Sequence, residues 1–297
     1  MPCAVTAGAV VAGAFLPAPS NPASVERSPV LTRSQLVQDL SALGLAAGDV
    51  VMVHASLRAV GEVAGGPDEV HLAIRDVITE RGTMFMYASC PAYVDEVGRG
   101  SLTTEEEAEV LEKLPAFDPY TARSARDNGA LVEMFRTYPD SRVNAHVARF
   151  VVWGRYTDHL LVPQPWDFAF GHGSLLERFV ELAGKILLLG SDHDNVTFLH
   201  YAEHIASIPD KRIARFKVPV LEHGVRVWRE MAEVDTSSQG AHASWPDRFF
   251  AILVDGYLAK TGNRGGHVGN AESYLFSARG LLDDALAEME ATAARGR

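Results

Sequence analysis

Three side chains able to take part in proton transfer follow one another at intervals of three residues: Thr197, His200 and Glu203. They come shortly after the apolar run Lys185–Gly190, which predicts a buried strand ending in a turn. In a helix that begins here, residues three apart share one face. An imidazole on that face can take a proton from a nucleophile, while a carboxylate orients the ring and a hydroxyl stabilises developing negative charge.

The same segment has other interpretations. Asp194 or Asn195 is available as the N-cap of the predicted helix. The apolar residues of that helix would form a buried stripe, so its polar face could simply be solvated. The residues His200–His204 also spell the zinc-binding pattern His-x-x-Glu-His, with Glu203 as general base and Glu272 as a distant third ligand.

Strand and helix patterns alternate along most of the chain. Thr32-Arg33-Ser34-Gln35 predicts a capping box at the start of a first helix. Val50–Val53 and Thr83–Ala88 predict two parallel strands, because a helical pattern running from Pro67 to about Glu80 separates them. Such a strand–helix–strand unit is typical of a sheet covered by helices.

The remaining elements complete the predicted fold. Residues 91–126 are polar and irregular, and residues 212–231 predict a β-hairpin. Further helices are predicted at residues 128–138, 174–182, 247–260 and 277–293, with another strand at residues 150–153. The sequence therefore predicts an α/β fold: a central mixed β-sheet flanked by helices, with an irregular or helical insertion and a β-hairpin region that form the substrate side.

Composition narrows the functional classes. The formal net charge of −11 disfavours nucleic acid as a partner and suits a cationic ligand. No stretch of sequence approaches a membrane span. With only Cys3 and Cys90, a disulfide framework is not expected, and the cytoplasm is the expected compartment. Residues 1–31 are predicted to be a flexible tail, and residues 32–297 a single α/β domain.

Several segments together carry a resemblance. In chain order they are Gly48–Gly61 followed by Gly65–Pro67, Arg81–Ser89, Phe117–Pro119, Gly184–Gly190 leading to Val196–Glu203, Gly265–Gly269 and Tyr274–Phe276. These segments resemble the aminoglycoside 3-N-acetyltransferase family. The likeness runs from about Thr32 to Glu290, and the segment that ends in Glu203 is its most specific part.

The resemblance implies transfer of an acetyl group from acetyl-coenzyme A to the 3-amino group of 2-deoxystreptamine antibiotics, without a metal and with resistance as the outcome. His200 would be the general base, oriented by Glu203, with Thr197 near the thioester. The implied coenzyme-binding residues are His54, Ser56, Leu57, Arg58, Val60, Gly61, Tyr87 and Ser174. The candidate antibiotic-binding carboxylates are Asp95, Glu96, Asp118, Glu133 and Asp235.

The expected partners are therefore an aminoglycoside and coenzyme A, with neither nucleic acid nor membrane, for a monomer or a homodimer. Two alternatives remain open at this point. One is a zinc hydrolase that uses the His-x-x-Glu-His segment, and the other is an acetyltransferase of the same fold that acts on something other than an antibiotic.

Overall fold

Apolar runs in the sequence become the strands of a central sheet in the computed structural model, which describes residues 30–91, 94, 102–235 and 244–295. The strands are β1 (Val50–Ala55), β2 (Thr83–Tyr87), β3 (Arg142–Val143), β4 (Phe150–Gly154), β5 (Lys185–Leu189), β6 (Ile213–Glu222), β7 (Val225–Val234), β8 (Gly266–Val268) and β9 (Ala271–Ser277). The α-helices are α1 (Arg33–Ala42), α2 (Leu57–Val60), α3 (Asp68–Ile78), α4 (Thr104–Lys113), α5 (Ala130–Thr137), α6 (Thr157–Leu160), α7 (Leu175–Glu181), α8 (Leu199–Ile205), α9 (Phe249–Thr261) and α10 (Ala278–Arg295).

Within the described ranges, seven strands form one mixed sheet in the order β3-β4-β2-β1-β5-β9-β8. Strand β1 runs parallel to both β2 and β5, with Val51 opposite Met84 and Val53 opposite Leu187. The other pairings in this sheet are antiparallel. The predicted crossover unit β1-α3-β2 and the predicted mixed α/β sheet are confirmed.

Helices cover both faces of this sheet, and the sequence of β1 shows why. Its four apolar residues Val50–Val53 alternate between the two faces, so each face contributes to its own buried core. Helices α1, α3 and α5 pack on the face that carries Val51 and Val53. Helices α7, α8, α9 and α10 pack on the face that carries Val50 and Met52. The residue after Val53 on β1, His54, points to the same side as Met52.

The predicted capping box of α1 is confirmed. The Thr32 hydroxyl accepts a hydrogen bond from the Gln35 N–H, and the Gln35 side chain accepts one from the Thr32 N–H. A second capping box, formed by Thr103 and Glu106, begins α4 inside the stretch predicted to be irregular. Helix α4 is thus the helical part of the insertion that the sequence predicts to be irregular or helical.

Strands β6 and β7 form the predicted hairpin, separate from the main sheet, with ten paired residues on each strand. Its buried side contributes Phe216, Val218 and Met231 to a third apolar core that also contains Phe117 and Val147. The Phe117 N–H donates to the Pro219 carbonyl at 2.7 Å, which fastens the insertion to the hairpin. The hairpin and the insertion are thus packed against each other.

One buried histidine in this region leads to a prediction for acid stability. His146 is 3% exposed, its Nδ1 accepts a hydrogen bond from the Ala148 N–H at 3.0 Å, and its ring lies 4.5 Å from that of Trp166. Desolvation by burial lowers the pKa of His146 to about 4, against a smaller opposing effect of a hydrogen bond with the Trp166 backbone. The unfolded chain therefore binds a proton near pH 6.5, but the folded chain binds it only near pH 4.

We expect the free energy of unfolding to fall as the pH drops from 6.5 to 4, with this histidine contributing up to about 3 kcal/mol. His146→Gln should flatten this pH slope in denaturant titrations, whereas His159→Gln, at an exposed position on α6, should leave it unchanged. Equal slopes for His146→Gln and the unaltered chain would contradict the assignment.

Candidate active site

The carboxyl ends of the parallel strands β1, β2 and β5 meet at one edge of the sheet, where ligand crevices form in open α/β sheets. A cavity of about 340 Å³ lies at this edge. Its lining residues are Val53, His54, Ala55, Ser56, Met86, Tyr87, Asp127, Asn128, Gly129, Gly190, Ser191, Asp192, Asn195 and Thr197. The strand ends therefore bring together polar groups from four separate segments of the chain.

Gly190 marks the turn that ends β5 and forms part of this cavity wall. Its φ is +59°, and a Cβ at this position would lie 2.3 Å from the Cβ of Ala59 on α2. Only glycine tolerates both the left-handed backbone and this close approach. The glycine lets β5 end against α2, and this contact brings the Ser56 and Ser191 segments to the same cavity.

His200 and Glu203 form a hydrogen-bonded pair on α8. The His200 Nδ1 lies 2.6 Å from a carboxylate oxygen of Glu203, which is 2% exposed. A buried carboxylate in this position accepts from Nδ1–H and thereby leaves the lone pair on Nε2. The His200 side chain is 25% exposed, and its ring lies 5.4 Å from that of Phe170 and 5.0 Å from that of Phe250. The pair has the hydrogen-bonding arrangement of a base and its orienting group.

The predicted cap of this helix is wrong. Helix α8 begins after Phe198, whose side chain makes no cap, and neither Asp194 nor Asn195 caps it. Asp194 instead accepts a hydrogen bond from the Ala251 N–H at 3.1 Å, at the start of α9. A short 3₁₀ turn, His193–Asn195, includes both of the residues predicted as the cap. The longer-range contact with α9 outweighs the local capping preference.

Thr197 consequently precedes α8 rather than lying on it. It is 9% exposed and lines the 340 Å³ cavity. His200 does not line that cavity, but its ring contacts Phe170, and Phe170 lies 5.7 Å from Tyr87 in the cavity wall. The dyad is therefore placed beside the cavity, one turn after Thr197.

The residues expected to bind the coenzyme lie in three places. His54, Ser56 and Tyr87 line the cavity, and desolvation by burial lowers the pKa of His54 to about 4, so its ring is neutral at pH 7. Leu57, Arg58, Val60 and Gly61 instead form α2 and its end, capped by the Ser56 hydroxyl, which accepts from the Ala59 N–H. Ser174 is fully buried as the N-cap of α7 and does not line the cavity.

The acidic residues expected to bind the antibiotic are not gathered at this cavity. Asp95 and Glu96 lie outside the described residues. Asp118 accepts a hydrogen bond from the Thr121 hydroxyl at 2.7 Å, and Asp235 pairs with Arg212 at 2.8 Å. Both carboxylates are thus held by neighbouring residues.

Glu133 is held by two arginines. Desolvation by burial raises its pKa, but hydrogen bonds from Arg136 and Arg123 outweigh that effect and lower the pKa to about 2. Asp118, Glu133 and Asp235 do not line the 340 Å³ cavity. The acidic residues that do line it, Asp127 and Asp192, were missed by the sequence analysis. Asp192 follows the predicted strand–turn Lys185–Gly190 and could have been found from that position.

The described side chains do not form the zinc site that His-x-x-Glu-His allows. Both ring nitrogens of His204 are engaged: Nδ1 lies 2.6 Å from the His200 carbonyl oxygen and Nε2 lies 2.6 Å from Glu233. Glu272 accepts a hydrogen bond from the Tyr274 hydroxyl at 2.6 Å. Among the described residues, no group of three or more His, Cys, Asp or Glu could hold a metal ion.

Comparison with known proteins assigns the chain to a family. The family model described as aminoglycoside 3-N-acetyltransferase matches residues 52–290, which is most of the chain. The chain belongs to the aminoglycoside 3-N-acetyltransferase family. It is 36% identical to aminoglycoside N(3)-acetyltransferase III of Pseudomonas aeruginosa over 263 residues, 87% of this chain and 93% of that protein. It is 38% identical to aminoglycoside N(3)-acetyltransferase VII of Streptomyces paromomycinus over 276 residues, 90% of this chain and 94% of that protein.

Solved structures of aminoglycoside acetyltransferases share the fold. The binary complex of AAC-IIIb with CoASH is 36% identical, with a TM-score of 0.81, covering 89% of this chain and 97% of that one. The sisomicin-bound AAC-VIa is 33% identical, with a TM-score of 0.80, covering 89% and 99%. The predicted family and the predicted enzyme class, a transferase, are confirmed. Within the described ranges, none of the helices combines the length and the hydropathy needed to span a membrane.

Proposed function

We propose that this member of the aminoglycoside 3-N-acetyltransferase family transfers the acetyl group of acetyl-coenzyme A directly to the 3-amino group of 2-deoxystreptamine aminoglycosides. The observation that carries the proposal is the His200–Glu203 pair, in which Nδ1 lies 2.6 Å from the carboxylate. The pair follows Thr197 by one turn, and Thr197 lines the 340 Å³ cavity. An oriented imidazole beside a polar cavity is the arrangement that amine acylation requires.

The cavity suits the reacting ends of both substrates. A volume of about 340 Å³ lies near the lower end of ligand pockets, so it would hold the thioester and the amine while the remainder of each substrate extends outside. His54, Ser56 and Tyr87 would contact the thioester end of the coenzyme. The start of α2, with the Leu57 and Arg58 N–H groups and the exposed Arg58 side chain, would meet its pantetheine arm and pyrophosphate. The N–H groups of Val60 and Gly61 donate to the Ser56 and Leu57 carbonyls within α2, so these two residues would contribute shape and not hydrogen bonds.

Proton transfer is assigned to His200. Its Nε2 would take a proton from the amino group as that nitrogen attacks the thioester carbonyl carbon, while Glu203 stabilises the resulting imidazolium. The carbon–sulfur bond then breaks, and the imidazolium can return the proton to the departing thiolate. The Thr197 hydroxyl would stabilise the negative charge on the tetrahedral intermediate or on the thiolate.

An acyl-enzyme is not needed for this route. Cys90 is 2% exposed, so its thiol is not offered to the coenzyme. Holding both substrates side by side converts a bimolecular reaction into an effectively unimolecular one, and such positioning supplies a large part of the acceleration. We therefore assign a ternary complex to the transfer step.

The acceptor would be held by negative charge. Aminoglycosides are polycations, and the chain carries a formal net charge of −11. Asp127 in the cavity wall would meet an ammonium group of the acceptor. Asp192 in the same wall is paired with Arg248, and Asp235 at the end of β7 is paired with Arg212, so an ammonium group would compete with these arginines for the two carboxylates. Acetylation removes one positive charge from the antibiotic, which would weaken its attraction to an anionic target and confer resistance.

We further propose that residues 32–297 are the acetyltransferase domain. The described residues from Leu31 onward form one compact unit, and the family match begins and ends within this part of the chain. The hairpin β6–β7 and the insertion that contains α4 would form the substrate side.

Turnover with a panel of acceptors tests the proposed function. Gentamicin-type and kanamycin-type compounds, incubated with acetyl-coenzyme A, are expected to give thiol release at the rate at which acetylated antibiotic forms. Mass spectrometry and NMR should place the acetyl group on the 3-nitrogen, and an acceptor already acetylated there should not react. No turnover on any 2-deoxystreptamine compound would overturn the proposal in favour of a different acceptor.

A further inference from the structure

A second histidine–carboxylate pair lies one turn beyond the first on the same helix. The Nε2 of His204 lies 2.6 Å from an oxygen of Glu233 on β7, and the two side chains are 2% and 6% exposed. The other oxygen of Glu233 accepts a hydrogen bond from the Ala169 N–H. The Nδ1 of His204 faces the carbonyl oxygen of His200 at 2.6 Å. Every polar atom of these two side chains therefore has a partner.

These contacts join three segments of the chain: helix α8, strand β7 and the loop 167–170. The loop is fixed to β7 by two more hydrogen bonds, from the Ala232 N–H to Asp167 and from the Phe168 N–H to the Ala232 carbonyl, both 2.7 Å long. The three hydrogen bonds between the loop and β7 therefore all involve two adjacent residues of the strand, Ala232 and Glu233.

The loop carries the aromatic side chain that contacts the proposed base. Phe170 lies 5.4 Å from the ring of His200 and 5.9 Å from that of His204, measured between ring centroids. The same ring lies 5.7 Å from that of Tyr87 in the cavity wall. A shift of the loop would therefore move a ring that lies against both His200 and Tyr87 of the cavity wall.

We propose that Glu233 and His204 are positioning residues: their buried pair fixes the loop that carries Phe170, and through it the His200 ring relative to the cavity. This inference rests on the proposed function, in which His200 is the base. It also gives the hairpin a part in turnover, because β7 and the catalytic helix are held to one another through this pair.

The chemistry of the pair indicates which substitutions preserve it. In Glu233→Gln, the amide oxygen can accept from the Ala169 N–H and the amide nitrogen can donate to Nε2 of His204, whose Nδ1 then keeps its proton toward the His200 carbonyl. In Glu233→Ala, the Ala169 N–H and the His204 ring both lose a buried partner. A positioning role thus predicts that Glu233→Gln keeps most of the kcat that Glu233→Ala loses.

The test compares steady-state kinetics of the full-length chain with acetyl-coenzyme A and a kanamycin-type acceptor. Glu233→Ala should lower kcat by about tenfold to a hundredfold, because small displacements of reacting groups cost that much. The KM for acetyl-coenzyme A should change less than about twofold, because the residues assigned to the coenzyme lie on β1, β2 and α2. Glu233→Gln should recover most of the lost kcat. Glu230→Ala, at an exposed position on the same strand, is the matched control and should behave as the unaltered chain.

A double variant guards against loss of folding. Replacing both partners by apolar side chains, Glu233→Met with His204→Leu, leaves no unpaired buried charge and should keep the fold while removing the attachment. It should show the same fall in kcat as Glu233→Ala. If this double variant folds and turns over normally, the proposal is overturned. Failure of both Glu233→Ala and the double variant to fold would also overturn it, in favour of a purely structural pair.

His200→Ala assayed beside these variants separates the two claims. Normal turnover in His200→Ala would defeat the proposed function itself. Loss of turnover in His200→Ala together with normal kcat in Glu233→Ala would defeat only the positioning role.

Discussion

His200→Ala is expected to lower the rate of acetyl transfer by about a hundredfold to ten-thousandfold, the usual cost of removing a general base. Coenzyme A should still bind with near-normal affinity, because the residues assigned to it lie on β1, β2 and α2 and not on α8. Thiol release under saturating substrates measures the first effect, and calorimetric titration with coenzyme A measures the second.

The matched control for this variant is His159→Ala, since His159 is an exposed histidine on the short helix α6. It should retain full turnover. A rate for His200→Ala within a few-fold of the unaltered chain would remove this histidine from the mechanism. A parallel loss of coenzyme A affinity would indicate that the substitution disturbs the site as a whole.

Glu203→Gln is expected to have a smaller effect, a loss in kcat of about tenfold to a hundredfold. An amide oxygen can still accept from the His200 Nδ1, but the negative charge that stabilises the imidazolium is gone. Because Glu203 is 2% exposed, water does not replace this charge. The kinetics of thiol release at fixed pH measure the loss.

Glu181→Gln, at an exposed position on α7, serves as the control for Glu203→Gln and should have no effect. If Glu203→Gln is as active as the unaltered chain, the carboxylate only occupies space beside His200. In that case the 2.6 Å contact has no catalytic role.

The central part of the fold could be predicted because each element has a strong local pattern. Val50–Val53 is apolar on both faces, as a strand between two helical layers must be, and β1 has that place. The hairpin β6–β7 has a Glu222-His223-Gly224 turn between alternating strands, and the structure confirms it. Strand β9 was not predicted, because its residues show no clear strand pattern. Its conformation depends on long-range pairing with β5.

The His200–Glu203 contact could be predicted for a similar reason. A spacing of three residues fixes how far apart His200 and Glu203 can be on a helix, so the 2.6 Å contact follows from local geometry. The family resemblance added the reaction, which spacing alone left open between acetyl transfer and zinc hydrolysis.

The acidic part of the site could not be predicted, because the charge of a carboxylate is visible in the sequence but its partners are not. Glu133 is bound by Arg123 and Arg136, ten residues before it and three after it. Asp127 reaches the cavity only because the turn Arg126–Asn128 places it there. The contact between His204 and Glu233 spans 29 residues and likewise depends on the docking of the hairpin.

The most direct test of the central claim is a crystal structure of this chain with coenzyme A and a kanamycin-type aminoglycoside bound together. The account predicts that the 3-amino nitrogen lies about 2.6–3.2 Å from Nε2 of His200, with the coenzyme sulfur beside Thr197. An antibiotic bound with its 3-amino group beyond the reach of that imidazole, in crystals that still acetylate it when acetyl-coenzyme A is supplied, would contradict it.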